Sequence, residues 1–269
     1  MEAVLANLAL FQHEPYCSRD CCDGITTALG RHHSIERIGL RDLSLQILSS
    51  FDLLIFPGGR GEASAFRTLL RRHVKTVQDY VAQGGRYLGI CMGAYWADAR
   101  YFNLLESLRC EQYITRPQAE IRRSYPTLAR INWQSHIHTM YFFDGCTFTG
   151  DATSATVIAT YANGDPMALI QNRVGVIGCH PESEAHWYHT KALQKAWHEF
   201  RHHRLLLEFV EKMLADETST ITAQAYPDPH AMQAALSAIM DLTAPFARGT
   251  YQKINDLART ALSQPTPKK

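Results

Sequence analysis

Apolar runs and amphipathic segments alternate along the first hundred residues. Two segments, 21–31 and 73–83, have the apolar spacing of helices, and Asp20 stands where an N-terminal cap of the first would lie. Between and around them are short apolar runs of the kind that form strands buried on both faces of a parallel sheet. These predicted strands are 4–11, 34–40, 52–56 and 86–90. Alternating strands and helices are typical of an α/β fold with helices on both faces of the sheet.

After about residue 100 the pattern changes to strands joined by short turns, such as the Asn-Gly-Asp turn at 163–165. Closely spaced strands of this kind predict β-hairpins added to the edge of the sheet. They are expected at 139–143, 155–161, 167–170 and 173–178. Residues 184–214 then read as one strongly helical segment.

The C-terminal part of the chain has a different composition. Residues 216–230 are polar and contain Pro227 and Pro229, which predicts a linker. Two helices are expected beyond it, at 231–240 and 251–262. We therefore predict one α/β domain over 1–215, followed by a linker and helical extension over 216–269. The terminal helices are candidates to cover a groove, to exchange between protomers of a homodimer, or to bind another protein.

Charge and composition narrow the range of partners. Lys and Arg number 27 against 26 for Asp and Glu, a balance that does not favour nucleic acid or an anionic membrane surface. No apolar run reaches the roughly 18 residues of a membrane helix, and the first residues lack a signal-peptide pattern. Seven scattered cysteines favour reduced thiols in a cytoplasmic protein over a disulfide framework. We therefore expect a cytoplasmic protein that acts on a small-molecule substrate.

The most informative local pattern is the GICMG motif at 89–93, between a predicted strand and a predicted helix. A G-x-C-x-G turn in that position is typical of a nucleophile elbow, which raises the Cys91 sulfur above the sheet near a helix N-terminus. The flanking glycines fit because a Cβ on either side of so tight a turn would clash. The alternative interpretation is an ordinary free cysteine at the end of a buried strand.

A second pattern, CHPE at 179–182, follows the predicted strand 173–178. Functional side chains of open α/β sheets gather beyond the carboxyl ends of the strands, where Cys91 is also expected. His180 is a candidate general base for a thiol, and Glu182 is a candidate to fix its tautomer, with Glu184 as a second candidate. The alternative is a structural or solvent-facing histidine.

The third pattern is PGGR at 57–60, again directly after a strand. Paired glycines leave backbone N–H groups accessible to a ligand, so those of Gly59 and Met92 are candidates for an oxyanion hole. Position alone makes Arg60 and Tyr95 candidates to hold a substrate, and Gly58 belongs to the same loop. The alternative is a simple tight turn.

These motifs carry a resemblance to a known group of proteins. The segments FDLLIFPGG, YVAQGGRYLGICMGAYWA and GCHPE are similar to the class I glutamine amidotransferase-like superfamily, over residues 5–187. Within it, the chain most resembles the amidotransferase-like domain at the N-terminus of eukaryotic biotin protein ligases. The resemblance implies a flavodoxin-like sheet and a catalytic triad with Cys91 as nucleophile, His180 as base and Glu182 as orienting acid. It implies no cofactor.

The chain departs from the superfamily in one informative place. Many glutamine-hydrolysing members have a glutamine soon after the elbow, where this chain has Ala-Tyr-Trp at 94–96. Nor does any part of it resemble a synthase or a biotin ligase catalytic domain. The leading hypothesis is an amide hydrolase or acyl transferase acting on a small amide through a Cys91 thioester. The alternatives are a non-catalytic small-ligand-binding or regulatory module, and a protease-like or glyoxalase-like member of the superfamily.

Other cysteines and histidines have simpler explanations. Cys17, Cys21 and Cys22 have a spacing that matches no common zinc motif, so no metal site is expected there. Cys17 is a candidate to line the substrate site or to act in redox chemistry, and the other two are expected to be buried on the helix. The group around His198 and His202, with His203 and two arginines, predicts a solvated charged face.

Overall fold

The computed structural model describes residues 5–215, so the predicted linker and C-terminal helices lie outside the described residues. Eleven strands occur within that range. They are β1 (Asn7–Phe11), β2 (Ser34–Ile38), β3 (Leu53–Phe56), β4 (Arg86–Ile90), β5 (Leu108–Gln112), β6 (Thr127–Trp133), β7 (His136–Phe142), β8 (Cys146–Gly150), β9 (Ala155–Tyr161), β10 (Pro166–Gln171) and β11 (Val174–Ile177).

Nine of these strands form one mixed sheet in the order β2-β1-β3-β4-β11-β10-β9-β6-β7. The first five of that order are parallel neighbours, and the remaining junctions are antiparallel. Strands β5 and β8 pair separately as a small antiparallel sheet. The predicted flavodoxin-like α/β class, with hairpins added at one edge of the sheet, is confirmed.

The helices within the described range are mostly short, and two of them have more than ten residues. They are α1 (Arg19–Leu29), α2 (Leu45–Leu48), α3 (Glu62–Ala65), α4 (Val74–Ala82), α5 (Met92–Trp96), α6 (Lys191–Gln194) and α7 (Arg201–Leu214). None of the helices in residues 5–215 combines the length and the apolar character that crossing a membrane requires.

Alternate residues of the central strands point to two separate cores. In β3, Leu53 and Ile55 pack into a cluster with α1 and α7, while Leu54 and Phe56 pack into a second cluster with α2, α4 and α5. Successive side chains of a strand point to opposite faces, so a continuous apolar strand requires a helical layer on each side. This explains why β3 is an unbroken apolar run, whereas the edge strand β2 contains exposed polar residues.

The structure corrects two secondary-structure expectations. Three strands, β5, β6 and β8, were not predicted, because polar residues interrupt their apolar positions and leave no continuous apolar run. The long helix predicted over 184–214 is interrupted. Glu199 and Phe200 have φ of +48° and +66°, a left-handed backbone that no α-helix continues through, so α7 begins only at Arg201.

Candidate active site

Three neighbouring parallel strands end at the same edge of the sheet. Phe56 of β3 is in register with Gly89 of β4, and Ile90 of β4 is in register with Ile177 of β11. The residues that follow them are therefore brought together, although β11 lies far from the other two in sequence. These residues are the glycine pair at 58–59, Cys91 and His180. The structure thus brings together the three motifs that the sequence singled out.

Cys91 lies in a strained turn between β4 and α5. Its backbone angles are φ +50° and ψ −107°, which are unusual for a residue with a side chain. The turn requires glycine on both sides: a Cβ at Gly89 would lie 2.3 Å from the carbonyl oxygen of Gly93, and one at Gly93 would lie 2.0 Å from that of Phe56. The local geometry is therefore that of a nucleophile elbow.

His180 and Glu182 form a buried pair. The imidazole Nδ1 lies 2.9 Å from Glu182 Oε1, and the residues are 4% and 0% exposed. Burial by itself lowers the pKa of His180, but the neighbouring Cys91 and Glu182 together raise that pKa well above its ordinary value. Glu184 makes no such contact: its Oε1 is buried and has no hydrogen-bond partner among the described residues. Of the two candidate acids, the structure pairs Glu182 with the imidazole.

Cys21 is a second thiol at the same imidazole. It lies on α1, whose N-terminal cap Ser18 accepts a hydrogen bond from the Cys21 backbone N–H. His180 interacts with the side chains of both Cys21 and Cys91. Burial raises the pKa of Cys21 to about 11, an effect that the hydrogen bond with His180 opposes. The sequence analysis expected Cys21 to be buried but missed this contact; its place just beyond the first strand, at the edge where Cys91 lies, was the available signal.

The glycine pair after β3 lies directly beside the His180 imidazole. A Cβ at Gly58 would lie 2.8 Å from His180 Cε1 and 2.9 Å from Cys21 Sγ, and one at Gly59 would lie 2.4 Å from Met92 Cε. Among the hydrogen bonds of residues 5–215, none has the backbone N–H of Gly59 or Met92 as its donor. Both N–H groups therefore have no protein acceptor among the described residues, which an oxyanion hole requires.

The remaining predicted site residues have different surroundings. Arg60 is exposed and lines the cleft above Cys91. Tyr95 is buried, and its hydroxyl lies 3.3 Å from the Asp144 carbonyl oxygen, away from the cleft wall. Cys17 is fully buried in the core beneath the Gly59 loop, where burial raises its pKa. Of these three residues, Arg60 lines the cleft, whereas Tyr95 and Cys17 do not.

The cleft itself has a volume of about 290 Å³. Its walls are aromatic around Cys91 and His180, with Tyr141, Phe143 and Trp187, while Asp20, Arg60 and His186 contribute charge or polarity. Cys91 Sγ lies 3.6 Å from the Phe143 carbonyl oxygen and is nearly covered, at 5% exposure. A cleft of this size and lining has room for a small molecule.

The histidines in and just before α7 are not on a solvated face, and that prediction is wrong. His198, His202 and His203 are all buried. The Nε2 atoms of His198 and His203 each lie 3.1 Å from the carbonyl oxygen of Ser183, the residue after Glu182. This end of the α7 region therefore supports the chain segment that carries the catalytic acid candidate.

The described residues have the fold of class I glutamine amidotransferases, a flavodoxin-like sheet, and they place a cysteine and a histidine at adjacent strand ends. Residues 13–110 match the family described as Biotin-protein ligase, N terminal. The matched segment contains Cys21, the Gly59 loop and Cys91, and it stops before His180. The resemblance predicted from the sequence is confirmed. No curated protein sequence gives a significant match.

Several solved structures share the fold. A glutamine amidotransferase from Thermotoga maritima has a TM-score of 0.56 at 13% identity, covering 78% of this chain and 99% of its own. A second glutamine amidotransferase scores 0.53 at 15% identity, with the same coverage. The PurLQS structure from Thermotoga maritima scores 0.53 at 13% identity, covering 77% of this chain and all of the matched chain. Identities this low establish a common fold only.

Proposed function

We propose that this protein is a cysteine-nucleophile amide hydrolase or acyl transferase that acts on a small amide through a Cys91 thioester. The observation that carries the proposal is the juxtaposition of a strained elbow cysteine with a buried His180–Glu182 pair at 2.9 Å. Strain of this kind persists where the surrounding structure enforces it, and it is concentrated at functional sites. A buried carboxylate that orients an imidazole is the arrangement that thiol catalysis requires.

Each group has a defined role in the reaction. His180 takes the proton of the Cys91 thiol, and the sulfur attacks the amide carbonyl carbon. The oxyanion that forms accepts hydrogen bonds from the free N–H groups of Gly59 and Met92. His180 then protonates the departing amine, which leaves an acyl group on Cys91. Water or a second amine attacks the thioester, with His180 again as base, and the thiol is regenerated.

A second function, a non-catalytic binding or regulatory module, has one observation in its favour. Cys91 is only 5% exposed, and its sulfur faces the Phe143 carbonyl oxygen at 3.6 Å. A substrate carbonyl reaches the sulfur only if the 143–144 segment moves aside. In this alternative the cleft binds a small ligand and Cys91 has the reactivity of an ordinary covered thiol.

The two functions predict different thiol chemistry. The test is the pH dependence of Cys91 alkylation by iodoacetamide, read by peptide mass spectrometry in the wild type and in His180→Ala. Catalysis predicts fast alkylation near neutral pH that slows at least about tenfold in the variant, because the imidazolium partner of the thiolate is lost. Alkylation no faster than that of a free thiol, and equal in both proteins, would favour the binding module.

A further inference from the structure

Cys21 is held over the catalytic pair by close packing of two backbones. Gly24, one turn after Cys21 on the same face of α1, touches the segment after β11: a Cβ there would lie 2.1 Å from the Glu182 carbonyl oxygen. Helix α1 therefore lies directly on the residue that pairs with His180. This contact fixes the Cys21 thiol beside the imidazole and the carboxylate.

Three different donor atoms meet at this point. One ligand atom each from Cys21, His180 and Glu182 lies within 4.8 Å of the other two. All three residues are buried, with exposures of 4%, 4% and 0%. Glu182 Oε2 is buried as well and has no hydrogen-bond partner among the described residues, although its sister oxygen bonds to His180. An unpartnered buried carboxylate oxygen is costly, and a bound cation would satisfy it.

The donor set has the chemistry of a zinc site. Zn²⁺ binds thiolate sulfur, imidazole nitrogen and carboxylate oxygen at about 2.0–2.3 Å in a tetrahedral arrangement, so its ligand atoms lie about 3.5 Å apart. Side-chain movements of about 1 Å bring the three donors to that spacing. A hard cation such as Mg²⁺ does not suit a thiolate. The negative charges of one thiolate and one carboxylate together offset the two positive charges of the Zn²⁺ ion.

We propose that Cys21, His180 and Glu182 form a binding site for Zn²⁺, with a fourth coordination position open to the cleft. Binding displaces the thiol proton of Cys21 and a proton of the His180 imidazole, and it gives the buried Glu182 Oε2 a partner. The sequence analysis expected no metal here because it compared Cys21 only with its neighbours in the chain. The proposal does not depend on Cys91 being a nucleophile.

The test measures binding of Zn²⁺ alone to the full-length protein, by competition with a chromogenic chelator. Co²⁺, added in parallel, reports thiolate ligation through its sulfur-to-metal charge-transfer absorption. Cys21→Ser is expected to weaken Zn²⁺ binding more than about tenfold and to abolish that absorption, since one of three protein ligands is lost. Circular dichroism verifies that the variant is folded.

Two further variants locate the site. Cys22→Ser is the matched control, because Cys22 is adjacent on α1 but donates to the Phe11 carbonyl oxygen in the core; it should bind Zn²⁺ as the wild type does. Cys91→Ser should also retain binding. If Zn²⁺ fails to bind the wild type, or if loss of Cys91 rather than Cys21 removes binding, the proposal is overturned. His180-dependent alkylation of Cys91 would still support the proposed function in either case.

Discussion

Two carboxylates follow His180 within four residues, and only one of them contacts it. Glu182 is fully buried and accepts from the imidazole, whereas Glu184 is part of the next turn and makes no hydrogen bond through its buried Oε1. At the scale of single residues, the negative charge of Glu182 is one of the two that raise the pKa of His180. Removing that charge should therefore make the protonated form of the imidazole beside Cys91 less stable.

Glu182→Gln is expected to slow Cys91 alkylation at neutral pH by about tenfold or more and to move its profile to higher pH. The substitution keeps the shape of the side chain but lowers the pKa of His180, so the imidazolium that stabilises the thiolate is lost at a lower pH. The measurement is the iodoacetamide rate between pH 5 and pH 9, in steps of about 0.5 units.

Glu184→Gln is the matched control, since it makes the same chemical change two residues away. Its profile should coincide with that of the wild type. Equal rates in the Glu182 and Glu184 variants would mean that the buried carboxylate has no influence on the thiol.

At the scale of elements, a cluster of histidines joins α7 to the sheet and to the segment after β11. The His198 and His202 rings stack with centroids 4.1 Å apart, and His138 of β7 meets the His202 ring edge-on at 5.6 Å. Arg201 adds positive charge nearby. Burial lowers the pKa of His198 to about 4 and that of His202 to about 2, and the charge of Arg201 acts in the same direction.

This cluster predicts acid sensitivity of the fold. The histidines of the unfolded chain bind protons below about pH 6.5, while His202 in the folded state stays neutral. The free energy of unfolding therefore falls as the pH drops from about 6.5 toward 4, by up to about 1.4 kcal/mol per pH unit for each such ring. The measurement is urea unfolding at several pH values, and His202→Gln should reduce the slope.

The exposed histidine of the neighbouring strand provides the comparison. His136 lies on β7 with its side chain in solvent, so His136→Gln should leave the slope unchanged. If the His202 variant has the wild-type slope, acid sensitivity in this range must come from other histidines, among which His33 and His138 are candidates because burial lowers their pKa values.

At the scale of the whole molecule, the fold divides seven free thiols into two groups. Cys21 and Cys91 line the cleft, with exposures of 4% and 5%. The other five are 0–1% exposed and packed within the cores on either face of the sheet or under the Gly59 loop. These are Cys17, Cys22, Cys110, Cys146 and Cys179.

Alkylation of the native protein should therefore be confined to Cys21 and Cys91, and all seven cysteines should react in urea. The reason is access: a buried thiol reacts only when the surrounding structure opens, and the core has the highest opening free energy. Differential labelling with light and heavy reagent, before and after unfolding, gives the extent for each peptide. Rapid native labelling of Cys146 or Cys179 would show that the core around β8 and β11 is not closed.

Much of the architecture could be predicted from local patterns. The apolar runs of β1, β3 and β4 identified parallel strands, because strands buried on both faces lack polar positions. The strands β5, β6 and β8 were not predicted, because polar residues interrupt their apolar positions. The kink before α7 depends on positive φ at two non-glycine residues, which no local pattern reveals.

For the site, the sequence by itself determined the glycine-flanked turn at Cys91 and the position of His180 just after a strand. Both are local requirements: a tight turn excludes a Cβ, and a strand end exposes the next side chain. Only the tertiary structure decided that β11 lies beside β4, that Glu182 rather than Glu184 meets the imidazole, and that Cys21 shares it. Those contacts either join residues that are far apart in the chain or depend on the direction in which a side chain points. They exist only once the strands have paired and α1 has packed against them.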